Sequence, residues 1–143
     1  MAKPTGNNRY VTVDDVRAYL GDKYPEDNLL LGANEFRNEE ITAAMDIVVD
    51  YWNSIPPHIG KFTIYDFPYR DQLISATAGK LLEMASYRFQ RNALPIQGGG
   101  VSVDDQNKAQ QYAAAGAALW NAYREFVHHE KLARQTEFGW GWA

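Results

Sequence analysis

The stretch DDQNKAQQYAAAGAALWNAYREFVHHEKLAR, residues 104–134, decides the fold. It has no proline and a single glycine, Gly116, and it is rich in alanine, the residue that least resists a helix. Ala109, Tyr112 or Ala113, Gly116, Leu119 or Trp120, Tyr123, and Phe126 or Val127 recur at steps of three and four up to Glu130. That period predicts one amphipathic helix, capped by Asp104 or Ser102. At roughly 30 residues it would run about 45 Å, well beyond the 10–14 residues of an ordinary globular helix. The run Ala113-Ala114-Ala115-Gly116-Ala117-Ala118 is small on every face, which favours close packing on more than one side. A helix this long is expected to project beyond the core or to pack on neighbours.

Working outward, the residues before the helix are Leu94-Pro95-Ile96-Gln97 and Val101-Ser102-Val103, flanking Gly98-Gly99-Gly100. Two short apolar runs about a glycine turn suggest a short β-hairpin, confined by Pro95 to an edge, or else a plain glycine loop. After the helix comes Gln135–Ala143, in which Phe138, Trp140 and Trp142 are spaced by Gly139 and Gly141. Glycine makes such a backbone easy to bend, while the rings are costly to leave in water. Docking of this end into a neighbouring chain is the leading expectation; folding back on its own helices comes second and disorder third.

Three further helices precede it. Thr12 caps a short one ending at Leu20, with Asp14 and Asp15 in its first turn, an apolar stripe of Val13, Val16, Tyr19 and Leu20, and Gly21 as the stop. Asn38 is expected to cap a second, with Phe36 pinning the chain entry and Ile41, Met45, Val48, Tyr51 or Trp52, and Ile55 along one face; Pro56-Pro57 end it. A third starts with Pro68 in its first turn and runs to about Arg91, carrying Leu73, Ala76 or Thr77, Leu81, Met84 and Tyr87. There, Ala76, Ala78 and Gly79 admit another backbone closely. Gly60–Phe67 reads as a loop or short strand, and Leu29-Leu30-Leu31 is undecided between helical turn and extended segment. The expected class is mainly α: a small helical bundle with a long C-terminal helix. Its parts would be a flexible arm over 1–11, a helical domain over 12–134 and an extended aromatic tail over 135–143.

Composition bounds the function. The 143 residues suit one domain, and the absence of cysteine excludes disulfides and thiolate metal sites. Fourteen basic against eighteen acidic residues give a net charge of −4, a poor match for gripping a phosphate backbone. No stretch approaches the ~20 apolar residues of a membrane span, and no signal core opens the chain. Synthesis and retention in the cytosol are therefore expected. Aromatics make up 13% of the chain, nine Tyr, six Phe and four Trp, an excess that points to interfaces.

Candidate chemistry is sparse. Glu125 and His129 share a helix face and could ligate a metal, but His128 points about 100° away and no third ligand is apparent. The triple glycine lacks the Gly-Lys-Ser/Thr ending of a phosphate loop. Asp14-Asp15, Glu39-Glu40 and Asp104-Asp105 all fall in first helical turns, where capping explains them. No serine-nucleophile signature is present, and only His58, His128 and His129 are available as bases. No catalytic residue and no cofactor is expected.

Together these motifs resemble tailed-phage virion proteins of the neck, the head–tail connector or adaptor type. The resemblance lies in the short helix Thr12–Leu20, the stretch Asn28-Leu29-Leu30-Leu31, the segment Phe36-Arg37-Asn38-Glu39-Glu40-Ile41 that opens a helix, and its ending Tyr51-Trp52-Asn53-Ser54-Ile55-Pro56-Pro57. The long alanine-rich helix with its tail completes it. The resemblance implies a helical bundle forming a ring, commonly dodecameric, beneath the portal protein. Such a ring extends the DNA channel, offers a surface to tail or stopper proteins, and resides in the virion neck. It also implies contact roles for the tail, Phe138, Trp140 and Trp142, and for the loop Gly98, Gly99, Gly100, Val101 and Val103. A net-negative subunit suits a channel that passes DNA without specific binding. The glycine loop and the proline-ended second helix depart from the adaptor pattern, which leaves a tail terminator, completion or baseplate subunit as the second reading. A small helical ligand-binding protein or enzyme, using Glu125 and His129 or a pocket between Trp52 and Trp120, is the third.

Overall fold

A computed structural model describes residues 10–22, 36–58, 60–93 and 103–137. They form four helices: α1 (Val13–Leu20), α2 (Asn38–Ser54), α3 (Arg70–Ala93) and α4 (Val103–Glu137). No strand occurs among the described residues. The mainly helical class is therefore as expected.

The caps follow from local chemistry. Thr12 Oγ1 accepts from the Asp15 N–H at 3.3 Å, and Asp15 Oδ2 accepts from the Thr12 N–H at 2.9 Å, a reciprocal box that satisfies two orphan donors. Gly21 closes α1 in the left-handed region at φ 73°, a conformation that costs a side-chain-bearing residue. At α2 the expectation shifts by one residue: Arg37 is the cap, and Glu40 Oε1 accepts from its N–H at 3.1 Å. Asn38 is already helical, and its Oδ1 accepts instead from Arg17 Nη2 at 2.8 Å. With the cap moved, Phe36 and Ile41 take the two staple positions, and both are buried in the core.

α3 is the central helix, touching α1, α2 and α4. Leu73, Ile74, Ala76, Thr77, Ala78 and Leu81 are all buried, more than one face of a surface helix would bury. α3 and α4 run antiparallel. Tyr69 meets Glu130 at one end, Gly79 meets Gly116 in the middle, and Phe89 meets Tyr112 at the other. α2 lies antiparallel to α3, tied by Arg88 Nη2 to Glu40 Oε2 at 3.3 Å, and its side chains also reach α4. α1 is held to the start of α3 by Arg70 Nη2 to Asp15 Oδ2 at 3.1 Å.

The core centres on Trp52, which is fully buried among Phe62, Phe67, Tyr69 and Phe126. The expected stripe of α2 is confirmed, with Trp52 rather than Tyr51 as the deep residue. Two expected stripe members are wrong. Tyr19 and Tyr87 are 53% and 61% exposed. In α1 the inward place goes to Arg17, which pairs with buried Asp22 at 2.9 Å. In α3 it goes to Ala85 and Ser86, residues small enough to pack closely.

The alternation at Phe62 and Ile64 is a loop with a turn at 64–66, not a strand. The backbone groups of Phe62 go to a side chain: Asn53 Nδ2 donates to Phe62 O at 2.8 Å, and Phe62 N donates to Asn53 Oδ1 at 2.9 Å. One amide thus satisfies the donor and acceptor that a neighbouring strand would have taken. The Pro56–Pro57 peptide is cis.

Candidate functional site

Most contact residues expected from the sequence, Phe138, Trp140, Trp142, Gly98, Gly99, Gly100 and Val101, lie outside the described residues. Val103, assigned above to the second arm of a hairpin, is instead the first residue of α4. The helix starts at Val103, as a cap at Ser102 implies, and runs past the expected end at Arg134 to Glu137, 35 residues in all, or about 52 Å. α3 has 24 residues, and with Tyr69, just before its start, level with Glu130, the last turns of α4 run past it.

Glu125, His128 and His129 are all exposed. Among the described residues, no group of three potential ligands comes together. The pocket imagined between Trp52 and Trp120 is filled. Rings surround Trp52, while Trp120 lies edge-on to Tyr51 at 5.2 Å with Lys80 Nζ 3.9 Å above its face, a cation–π contact.

Open hollows remain among the described residues. One, of about 400 Å³, is lined by Arg37, Glu40, Met84, Tyr87 and Arg88, and its Arg88 and Glu40 already pair with each other. Another, of about 450 Å³, lies at the start of α3 between Tyr69 and Phe126. Beside it, the Tyr69 hydroxyl donates to Glu130 Oε1 at 2.9 Å, and Arg134 Nε reaches the same oxygen at 3.5 Å. Burial, helped by the Glu130 hydrogen bond, pushes the Tyr69 phenol up to about 12. These groups hold one another.

α4 carries two features of note, one on each face. Its outer face between Gln110 and Ala122 exposes Gln110, Gln111, Ala114, Ala115, Ala117, Ala118, Asn121 and Ala122. None of the eight is charged, in a chain that is 22% charged. Further along, Leu132 is 60% exposed. The inner face holds the second feature, Lys131, which is 1% exposed. Its Nζ donates to Trp52 O, to Ile55 O, and to Pro57 O at 3.1 Å, and sits 4.8 Å from the Trp52 ring centre. Burial lowers the Lys131 pKa. Against that, the Trp52 and Ile55 carbonyls at the negative end of α2, with that of Pro57 just beyond it, favour its charged form.

The sequence reading ended the inner stripe at Glu130 and missed Lys131. The signal was available: Lys131 lies four residues after Val127 and eight after Tyr123, and the last turn of α2 has no basic residue of its own.

The chain matches no family model, no curated protein and no solved structure. No described helix is long and apolar enough to cross a membrane.

Proposed function

We propose that this chain is a structural subunit of a tailed-phage virion, of the head–tail connector type, and that copies of it form an oligomeric ring between the portal protein and the tail. The observation that carries this reading is the outer face of α4. Eight exposed residues without a charge, five of them alanine, run along about 20 Å of helix. On a subunit of net charge −4, such a face is where another copy meets no like charge, and its methyl groups let a second backbone come close. Ring closure needs a heterologous contact of this kind, one patch fitting a different patch next door.

Size then gives the tail a role. A stable interface takes about 800 Å² from each partner, more than one short helix face supplies. Three aromatic rings add on the order of 500 Å², and Phe138, Trp140 and Trp142 follow directly on α4. The sequence resemblance points to the same parts. A tail terminator, completion or baseplate subunit is the second reading, favoured by the same face but distinguished by copy number.

The test is assembly. The full chain, examined by native mass spectrometry and electron microscopy, should form closed rings and bind purified portal particles. Ala118→Arg, and separately deletion of residues 138–143, should leave the circular dichroism unchanged and abolish both. A hexameric ring would transfer the assignment to the tail. A compact monomer at every attainable concentration, without affinity for portal or tail proteins, would end the reading.

A further inference from the structure

A buried lysine ordinarily has a carboxylate partner. Lys131 has none among the described residues. Its acidic neighbour Glu130 is engaged by Tyr69 and Arg134 on the flank of α4. In the turn beyond α2, His58 Nδ1 faces Asn53 O. What surrounds the ammonium is three backbone carbonyls and the face of an indole. An ammonium has three donors, and here each has its own carbonyl. The last carbonyls of a helix lack intrahelical partners and carry its negative end. Those of α2 are supplied from 76 to 79 residues away in sequence.

The connection continues past the cage. Asn53 lies beside Trp52 and fixes both backbone polar groups of Phe62. Phe62 and Phe67 pack against Trp52 and against each other. Within segment 60–67 the hydrogen bonds are confined to the turn between Thr63 and Asp66; its links to the end of α2 run through Asn53 and the Trp52 cluster.

We propose that Lys131 is a lock between distant parts of the chain: turn 55–58 and segment 60–67 form one opening unit whose closed state requires the α4 ammonium in the carbonyl cage. α4 runs six residues past Lys131. A force or partner acting on that end therefore has a direct link to turn 55–58 in Lys131, while α1 and the first half of α2 stay closed. This inference stands apart from the neck reading and survives its failure.

The test is amide hydrogen exchange on the full-length Lys131→Ala variant. That truncation removes three methylenes and the ammonium, the equivalent of n-propylammonium. Exchange across 55–67 should accelerate by on the order of tenfold or more, the effect of losing hydrogen bonds to a charged group. Exchange in residues 13–20 and 38–48 should hold. Added n-propylammonium chloride should slow exchange across 55–67 again, and n-propanol at the same concentration should not. Lys131→Met, which keeps the stem and loses the donors, should open the same segment, and it serves as the reporter if the alanine variant does not fold. Uniform acceleration over the whole chain, unchanged exchange in 55–67, or equal rescue by alcohol and ammonium would each overturn the lock.

Discussion

At the scale of the residue, the tightest constraint is where α3 and α4 cross. A Cβ added to Gly116 would lie 2.7 Å from Gly79 O and 3.1 Å from Glu83 N. A Cβ on Gly79 would lie 2.9 Å from Leu119 Cβ and 3.1 Å from Gly116 O. These are backbone atoms or the stiff root of a side chain, so relief requires moving a helix. Two effects oppose each other in Gly116→Ala. Alanine improves helix propensity by about 1 kcal/mol, whereas overpacking a tight contact costs about 1–3 kcal/mol. With the nearest atoms inside contact distance, the second should win, leaving a net loss of up to about 2 kcal/mol. The midpoint of urea unfolding should fall at unchanged slope. Because both glycines serve one contact, the double variant Gly79→Ala, Gly116→Ala should lose less than the sum of the singles. Additive losses would show that the two sites do not share a crossing.

At the scale of the element, the entry to α2 is fastened to the end of α1 by hydrogen bonds from a buried ion pair, Arg17 with Asp22. Arg17 and Asp22 have side chains 8% and 7% exposed. Asp22 Oδ2 also accepts from the Phe36 N–H at 3.2 Å, and Arg17 reaches on to Asn38. Asp22→Ala leaves a buried guanidinium without its counter-charge, a loss of about 3–5 kcal/mol. The double variant Arg17→Met, Asp22→Leu should recover part of that, since apolar replacement of a buried pair removes two desolvation costs together. Thermal unfolding of the three proteins decides it, and a double variant no better than the single would refute the pairing as the cause.

These residues also show how far the sequence could be read. α1 was legible to the residue because Thr12, Asp15 and Gly21 are local signals that act within one turn. The stripes of α2 and α4 were legible because periodicity reports a face. The face that Arg17, Lys131 and Asn38 serve was not, since a charged or amide side chain reads as solvated until its partner is known. Those partners are Asp22, the carbonyls at the end of α2, and Arg17. Gly79 and the small run Ala113–Ala118 announced a close approach without saying to what; only the antiparallel register pairs Gly79 with Gly116. Phe62 and Ile64 alternated like a strand, yet the Asn53 amide had already taken the backbone groups a strand would offer.

At the scale of the whole molecule, stability at high pH should turn on two phenols. Tyr123 is 1% exposed and donates to Val48 O at 2.8 Å; burial, with the neighbouring Tyr51, raises its pKa strongly. Burial and Glu130 raise Tyr69 from 10.0 to about 12. Both keep their protons in the fold at pH values where the unfolded chain has released them. Above about pH 10 the unfolded state therefore binds fewer protons than the native one, and linkage makes stability fall as pH rises. Their contribution is complete below pH 10; that of Tyr69 is lost as pH climbs through about 12, and that of Tyr123 at higher pH still. Lys131 acts with the opposite sign. Its folded pKa lies below the ordinary 10.5, so over the interval beneath that value the unfolded chain binds more protons and stability gains with pH. The two together predict a curve that holds or rises slightly toward pH 10 and then drops. Urea unfolding at steps from pH 8 to 12 should trace it, with tyrosinate absorbance from Tyr123 appearing only as the fold is lost. Tyr69→Phe and Tyr123→Phe combined should flatten the descent while lowering stability at pH 8, because the hydrogen bonds to Glu130 and Val48 are gone. A descent of unchanged steepness in that double variant would place the alkaline sensitivity elsewhere in the chain.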